Sequence, residues 1–380
     1  MAKSFYFLIY AAWACLLPFL TLYYQDLDLS GREIGALTAI FPLVGMVGTT
    51  IWGMAADITG RHRALFLLAI GGTWVSVFLM TRVDTFLELV PIIIVYAFCF
   101  SPVMPFFDNS VLHHYGESGY GQQRVWGSYG WGLGGAVAGS IIAASGLTWA
   151  FIGFLALYLP LFLIGTRVPM TAYETSSNFW AELRILLSNR GWLFFLAVAT
   201  IESLSLNVFL NYLFLYLGTL GTSTGIMGLT LTFATISEIP VFLYSRRLLA
   251  RWSPAFLLGI SMIFTVIRSF AYVNMTAPWQ VLIISLLHGP TFAIMWIAGV
   301  AYANEIAPPG LGTTAQSVFS AVVMGFGSAL GAFSGGLLYE ATGPASVFYF
   351  AGYISLAATA VFIFANYRAF IKQLQPLRSQ

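Results

Sequence analysis

The sequence predicts an all-α integral membrane protein in which twelve transmembrane helices form two pseudo-symmetric six-helix halves. Three observations support this prediction: the composition, the number of apolar runs and the placement of the basic residues. Of 380 residues, 59% are hydrophobic and 8% are charged, against about 25% charged in an average soluble domain. So few charges cannot coat a soluble exterior, which excludes a soluble enzyme. The net charge of +2 gives no general attraction to nucleic acid.

Twelve apolar runs are long enough to cross a bilayer, which requires about 20 apolar residues in helical form. The longest break between runs follows the sixth. We therefore expect an N-terminal six-helix bundle over 1–166, a cytoplasmic middle loop over 167–190 and a C-terminal six-helix bundle over 191–380. The predicted helices span 5–24, 33–54, 64–81, 86–111, 123–144, 148–165, 191–217, 225–244, 254–273, 278–302, 312–337 and 346–366.

The basic residues predict the orientation, because Lys and Arg concentrate in cytoplasmic loops. If the N-terminus is cytoplasmic, twelve of the 16 Lys and Arg residues lie inside. Only Arg32 and Arg82 lie outside, and Arg124 and Arg268 fall within helices. We therefore expect a multi-pass protein of the cell (cytoplasmic or inner) membrane with both termini in the cytoplasm.

Small residues recur at matching places in the two halves. Gly130 and Gly134 lie in the fifth predicted helix, and Gly327 and Gly331 lie in the eleventh, which is the fifth of its half. Such spacing lets helices approach closely. Generic membrane packing would explain either helix alone, but the matching positions favour an internal repeat.

A charged motif, Gly53-Met-Ala-Ala-Asp57-Ile-Thr-Gly60-Arg61-His62-Arg63, joins the second and third predicted helices. Asp57 ends a helix and can accept hydrogen bonds from neighbouring helix N-termini. Gly53 and Gly60 permit a close approach and a tight turn, and the arginines hold the loop inside.

This motif resembles the signature loop of the major facilitator superfamily, and it falls after the second of twelve helices, as in that family. The resemblance covers the whole chain and implies the major facilitator fold with alternating access. It also implies that Gly53, Asp57, Gly60, Arg61 and Arg63 form a conformational latch that does not bind the substrate.

Six further strings together resemble the branch that contains sugar–proton, nucleoside–proton and phenylpropionate permeases. They are Pro102-x-x-Pro105-x-x-Asp108, Arg124-Val-Trp126-Gly127-Ser128, Ser237-Glu238-Ile-Pro240, Ile267-Arg268-Ser-Phe, Leu287-His288-Gly289 and Ala315-Gln316-Ser317.

Several ionisable residues lie inside predicted helices, where each costs about 2.5–3.5 kcal/mol on insertion scales. They must therefore face a water-filled cavity, pair with each other, or both. We expect Asp108 to pair with Arg124, and Glu238 or Glu202 to pair with Arg268. The resemblance implies that Arg268 and a histidine, here His288, lie among the acids that carry the coupling proton. The five proton-coupling candidates are Glu238, Arg268, His288, Asp108 and Glu202.

Polar and aromatic side chains at helical spacing predict the substrate site. Arg124, Ser128 and Trp131 share one helix face, where a cation, a hydroxyl and a flat ring would bind a ring-shaped solute with polar oxygens. The resemblance adds that this Arg contacts substrate and that the Trp stacks on a sugar ring. Further candidates, which ordinary helix packing would also explain, are Tyr10 and Trp13 in the first helix and Asn207 and Asn211 in the seventh.

We therefore predict a monomeric secondary transporter that moves a sugar, nucleoside or aromatic carboxylate together with protons. We expect no catalytic residue, no metal and no cofactor; the proton gradient would drive transport. The sequence has no Gly-x-x-x-x-Gly-Lys-[Ser/Thr] string for ATP. Two alternatives stay open: a proton-coupled exporter or facilitator of lipophilic compounds, and a non-transporting membrane sensor.

Overall fold

The computed structural model describes residues 1–170 and 179–374, and this part of the chain is helical with no strand. We number the membrane helices in chain order. They are α1 Ala2–Asp26, α2 Gly31–Thr59, α3 His62–Met80, α4 Phe86–Gly116, α5 117–145, α6 Thr148–Gly165, α7 Arg190–Thr219, α8 Thr224–Leu243, α9 Pro254–Val273, α10 Gln280–Ile306, α11 Gly312–Thr342 and α12 Pro344–Ala365.

All of these helices except α5 are long and apolar enough to cross a membrane by length and composition. The α5 segment contains eight glycines, which lower its hydropathy. Three short helices, Phe179–Leu187, Ser245–Arg251 and Tyr367–Leu374, lie in segments that the sequence places in the cytoplasm. Residues 171–178 of the predicted middle loop and the last six residues lie outside the described part.

Several membrane helices are interrupted where the sequence contains proline or glycine. A helical stretch ends at Phe100, and the next begins at Val103 after Pro102, as expected from a residue that cannot donate a backbone hydrogen bond. Helices α4 and α5 run on through a bend at Gly116, whose φ of 67° favours glycine. In α10 a wider π-helical turn, Gly289–Ala293, contains Pro290, and α11 contains another at Val322–Gly327.

The described residues divide into two compact units. The first combines residues 1–170 with Leu213–Thr235, the segment that contains the end of α7 and the start of α8. The second combines residues 179–212 with residues 236–374. Within the first unit, α5 packs on this α8 segment: Thr232 donates a hydrogen bond of 2.7 Å to the carbonyl oxygen of Gly132.

Each unit packs a glycine-containing helix on the first helix of the same half. In the first unit, a Cβ on Gly130 of α5 would overlap the Phe7 carbonyl of α1, and one on Gly134 would lie 2.7 Å from Ala11 Cα. In the second unit, a Cβ on Gly331 of α11 would lie 2.5 Å from the Leu204 carbonyl oxygen of α7. Only glycine permits these approaches, which supports the predicted internal repeat.

Candidate functional site

In the first unit, the Arg124 side chain of α5 lies against two tyrosines of α1. Its Nη2 donates a hydrogen bond to the Tyr10 hydroxyl. The guanidinium carbon lies 4.5 Å from the Tyr10 ring centroid and 5.6 Å from that of Tyr6, which is cation–π geometry. Gly127, one turn after Arg124, leaves room for this contact, because a Cβ there would lie 2.8 Å from the Tyr10 ring and 2.9 Å from Arg124 Nη1.

Tyrosine side chains contact both Asp108 and Arg124, for which we expected a direct ion pair. The Tyr6 hydroxyl donates a 2.5 Å hydrogen bond to Asp108 Oδ1, and Tyr120 interacts with both Asp108 and Arg124. Within the described residues no Asp108–Arg124 nitrogen–oxygen distance falls within 4.0 Å. The expected direct ion pair is therefore wrong, and the two charges interact through phenol groups.

An aromatic surface continues from Arg124 along α1. The Tyr10 and Trp13 ring centroids lie 4.7 Å apart, and Trp13 lies 4.7 Å from Phe100 of α4. Trp13 Nε1 also donates a weak 3.4 Å hydrogen bond to the Tyr158 hydroxyl. Tyr10 and Trp13, the two candidates of the first helix, are therefore in contact with each other, and their role in binding stays a prediction.

Ser128 and Trp131 follow Arg124 along the same face of α5 and are both partly exposed. Within the described part of the chain, neither contacts the Arg124 guanidinium by a hydrogen bond or a ring contact. They therefore extend the surface around Arg124 without constraining its side chain, and their role in binding stays a prediction.

In the second unit, Arg268 of α9 is enclosed by neutral groups. Its side chain is 5% exposed. Its nitrogens donate hydrogen bonds to the Tyr272 hydroxyl at 3.0 and 3.1 Å and to Thr291 Oγ1 at 3.0 Å. The guanidinium also lies 4.6 Å from the Phe209 ring centroid. Thr291 lies on α10, three residues after His288, and accepts the last of these hydrogen bonds.

His288 lies between Arg268 and Glu238. Its Nδ1 is 3.2 Å from Arg268 Nη1, and its Nε2 is 3.8 Å from Glu238 Oε2. Because arginine only donates, Nδ1 accepts, and the Nε2 hydrogen of a neutral imidazole then points toward the carboxylate. The expected direct pairing of Arg268 with Glu238 or Glu202 is therefore wrong: in the described residues, Arg268 reaches Glu238 only through His288.

The π-helical turn of α10 positions this histidine. Gly289 begins the turn, and a Cβ on it would overlap the Ser237 carbonyl of α8, so only glycine permits the approach. The Gly289 N–H also donates a 2.9 Å hydrogen bond to Ser237 Oγ. This approach holds His288 next to Glu238, the residue after Ser237.

The polar residues of α7 bond to the protein itself. Asn207 Oδ1 accepts a 2.6 Å hydrogen bond from Ser328 of α11, and its Nδ2 donates to the Ser203 carbonyl. Asn211 Nδ2 donates to the Asn207 carbonyl at 3.1 Å. Interhelical bonding therefore accounts for Asn207, and the substrate-binding role of both asparagines stays a prediction. Glu202 lies apart from Arg268 and bonds to Ser355 of α12 at 2.9 Å.

The charged motif between α2 and α3 has the predicted turn. Gly60 ends α2 with a φ of 64°, and Arg63 donates a 3.1 Å hydrogen bond to the Val168 carbonyl. Asp57 Oδ1 is buried and has no hydrogen-bond partner in the described part of the chain, so this oxygen does not make the expected bond to a helix N-terminus. Nothing lies within 4 Å of a Cβ on Gly53, so the expected close approach there is wrong.

Two surface depressions lie apart from the clusters around Arg124 and Arg268. A groove of about 720 Å³ is lined by apolar residues of α3, α4 and α6, and a depression of about 540 Å³ contains Gly60, Arg61 and Arg63. The described residues contain no group of three His, Cys, Asp or Glu that could hold a metal ion.

Sequence reasoning missed three aromatic neighbours of Arg124 and Arg268: Tyr120, Tyr272 and Phe209. The first two carried a readable signal, because Tyr120 precedes Arg124 by four residues and Tyr272 follows Arg268 by four. Residues four apart on a helix are neighbours. Phe209 comes from another helix, and no local pattern indicates it.

Comparisons with known proteins agree with this architecture. The model of the MFS_1 like family matches residues 1–350. Maltose permease of Geobacillus stearothermophilus is 28% identical over 94% of this chain and 92% of its own length. The probable 3-phenylpropionic acid transporter of Escherichia coli K12 is 24% identical over 93% and 94%.

Solved structures show the same fold. The nucleoside transporter NupG superposes with a TM-score of 0.85 at 19% identity, covering 95% of this chain and 98% of that one. A bacterial homologue of the lysosomal transporter Spinster superposes with a TM-score of 0.74 at 15% identity. The resemblance to the major facilitator superfamily is thus confirmed. The protein is a multi-pass membrane transporter of the major facilitator type and not an enzyme. The chain belongs to the MFS_1 like family.

Proposed function

We propose that this transporter is a proton-coupled symporter that imports a small, ring-containing polar solute by alternating access. The observation that supports it most is the Arg124 guanidinium beside the Tyr10 ring, which in turn contacts the Trp13 ring. A guanidinium has five donors in a planar fork, and in the described residues Arg124 bonds only to tyrosines. Donors therefore remain for hydroxyl or carboxylate oxygens, while the aromatic rings suit the apolar face of a ring.

The sequence relatives support the same class of solute. One is named for maltose and another for 3-phenylpropionic acid; the first is a sugar and the second an aromatic carboxylate. Both solutes combine a ring with polar oxygens. We extend this class, with nucleosides included, to the present chain.

Proton coupling is supported by the chain of groups Arg268, His288 and Glu238. Protonation of Glu238 would remove the charge that attracts the Nε2 hydrogen of His288, and so would alter a contact between α8 and α10. Helices that meet through a titratable contact can be biased between two arrangements by one proton. Asp108 and Glu202 are further carboxyl groups for this role, and the charged motif at Asp57 serves as the latch.

Uptake into proteoliposomes that contain a pH-sensitive dye tests the proposal. The panel consists of maltose, uridine and 3-phenylpropionate, each added outside at equal concentration. We expect one class to acidify the lumen, with no signal from empty liposomes. Solute uptake without acidification would make the protein a facilitator, and absence of uptake across the panel would overturn the solute class.

A further inference from the structure

Glu202 is a carboxyl group in the second unit with no counter-ion beside it. Its side chain is 2% exposed, and within the described residues no Lys, Arg or His nitrogen lies within 4.0 Å of it. Oε1 accepts the 2.9 Å hydrogen bond from Ser355, but Oε2 is buried and has no hydrogen-bond partner among the residues that the structure describes. An ionised, unpaired carboxylate is strongly unfavourable in such a place, because burial removes the water that would stabilise its charge.

The groups around this carboxyl are oxygen atoms of three helices. Ser355 Oγ of α12 lies 3.0 Å from Ser205 Oγ of α7, and Ser205 Oγ lies 3.3 Å from the Ala351 carbonyl oxygen. The Thr265 hydroxyl of α9 also faces Glu202. Hydroxyl, carbonyl and carboxylate oxygens are the ligands that hard cations take.

The charged groups of neighbouring helices do not neutralise Glu202. Arg268 is three residues beyond Thr265 on α9, but its donors bond to Tyr272, Thr291 and His288. His288 on α10 faces Arg268 and Glu238. The carboxyl group of Glu202 thus belongs to a separate polar cluster from the Arg268–His288–Glu238 chain.

We propose that Glu202, with Ser205, Thr265 and Ser355, forms a binding site for a monovalent cation, either a proton or Na⁺. The bound cation neutralises the buried carboxylate and binds to the Oε2 lone pairs that accept no hydrogen bond. The use of this cation as the coupling ion rests on the proposed function. The binding of the cation does not, so the experiments measure binding.

The Na⁺ arm measures thermal unfolding of the purified full chain in NaCl and in choline chloride at equal ionic strength. A ligand that binds only the folded state raises the Tm with its concentration. We expect a rise specific to Na⁺ that Glu202→Gln abolishes and Ser355→Ala weakens, while Glu88→Gln, at an exposed position, keeps it.

The proton arm measures the carboxylic-acid carbonyl stretch by infrared difference spectroscopy at neutral pH. We expect a band from a buried, protonated acid that is present in the Glu88→Gln variant and absent from Glu202→Gln. If Glu202→Gln fails to fold, Ser355→Ala replaces it, since loss of the hydrogen bond to Oε1 shifts the band.

Either signal supports the cation site and identifies the ion. A wild-type protein with neither a Na⁺-specific rise in Tm nor this band would overturn it, because Glu202 would then be ionised and unoccupied. Failure of the uptake panel, with either binding signal intact, would overturn the proposed function alone.

Discussion

Arg124 in the first unit and Arg268 in the second are both surrounded by aromatic rings, but they differ in what completes their hydrogen bonds. Arg124 is partly exposed and bonds to tyrosine hydroxyls. Arg268 is 5% exposed and bonds to a tyrosine, a threonine and a histidine at 3.0–3.2 Å. The Arg124 guanidinium keeps N–H donors for a ligand, whereas the donors of Arg268 are already bonded to side chains of the second unit.

The carboxyl groups near the two arginines also differ in the groups that they contact. Asp108 accepts a 2.5 Å hydrogen bond from the Tyr6 phenol and also interacts with Tyr120, and no Arg124 nitrogen lies within 4.0 Å of it in the described residues. Glu238 faces His288, a group that can itself accept a proton. The comparison suggests a division of roles: the first cluster contacts the solute, and the second responds to protons.

Replacement of Arg124 by alanine tests the solute half of this division and has the largest expected effect. Loss of hydrogen bonds to a charged group costs about 1.5–3 kcal/mol, so we expect solute affinity to fall about 10- to 150-fold with little change in Tm. Calorimetric titration with the solute identified by the uptake panel measures this change.

The matched control for that experiment is Arg82→Ala, which removes an exposed arginine from a loop. It should leave affinity unchanged. Unchanged affinity in Arg124→Ala would remove α5 from the site, and an equal loss of affinity in Arg268→Ala without loss of stability would contradict the division of roles.

Replacement of Glu238 by glutamine tests whether the second cluster responds to protons. Glutamine keeps the shape and an oxygen that can face His288 Nε2, but it cannot be ionised. We expect solute exchange to stay within a few-fold of wild type while solute-driven acidification of proteoliposomes is lost. Glu88→Gln should keep both activities. Retained acidification in Glu238→Gln would shift the coupling role to Glu202 or Asp108.

The sequence predicted the fold well because the bilayer imposes strong constraints on length and charge. Apolar runs and the arginine bias place the helices to within a few residues. The Gly60 turn follows from the motif, and the Tyr10–Trp13 contact follows from helical spacing. Each of these features depends on residues that are close together in the chain.

The partners of the buried charges could not be predicted, because they come from different helices. In the described part of the chain, no carboxylate oxygen lies within 4.0 Å of Arg268, whose donors bond to Tyr272 and to His288, twenty residues later. The π-helical turn at Gly289 rotates this part of α10, and the regular 3.6-residue period gives no sign of it. Likewise, the stripe of α7 that contains Asn207 indicates polarity but does not distinguish a cavity from a neighbouring helix.

Substitution of the packing glycines tests whether the two units share one construction. Gly130→Ala would push against the Phe7 carbonyl and Gly331→Ala against the Leu204 carbonyl. Overpacking of this kind costs about 1–3 kcal/mol, so we expect both variants to have lower Tm values by similar amounts. Gly53→Ala is the matched control, since its Cβ meets nothing within 4 Å. A lower Tm in only one of the two variants would show that the two units do not share this packing.

The smallest expected effect distinguishes packing from binding at Asn207. Ser328→Ala removes the 2.6 Å hydrogen bond to Asn207 Oδ1, and interhelical hydrogen bonds in membranes contribute about 0.6 kcal/mol on average. We expect a slightly lower Tm and unchanged solute affinity. Ser334→Ala on the same helix is the control, because among the described residues the Ser334 hydroxyl bonds only within α11, to the Leu330 carbonyl. A double-mutant cycle with Asn207→Ala isolates the pair. Tenfold weaker solute binding in Ser328→Ala at unchanged Tm would instead show that Ser328 orients Asn207 toward the solute, and the second unit would then share the binding role that we assign to the first.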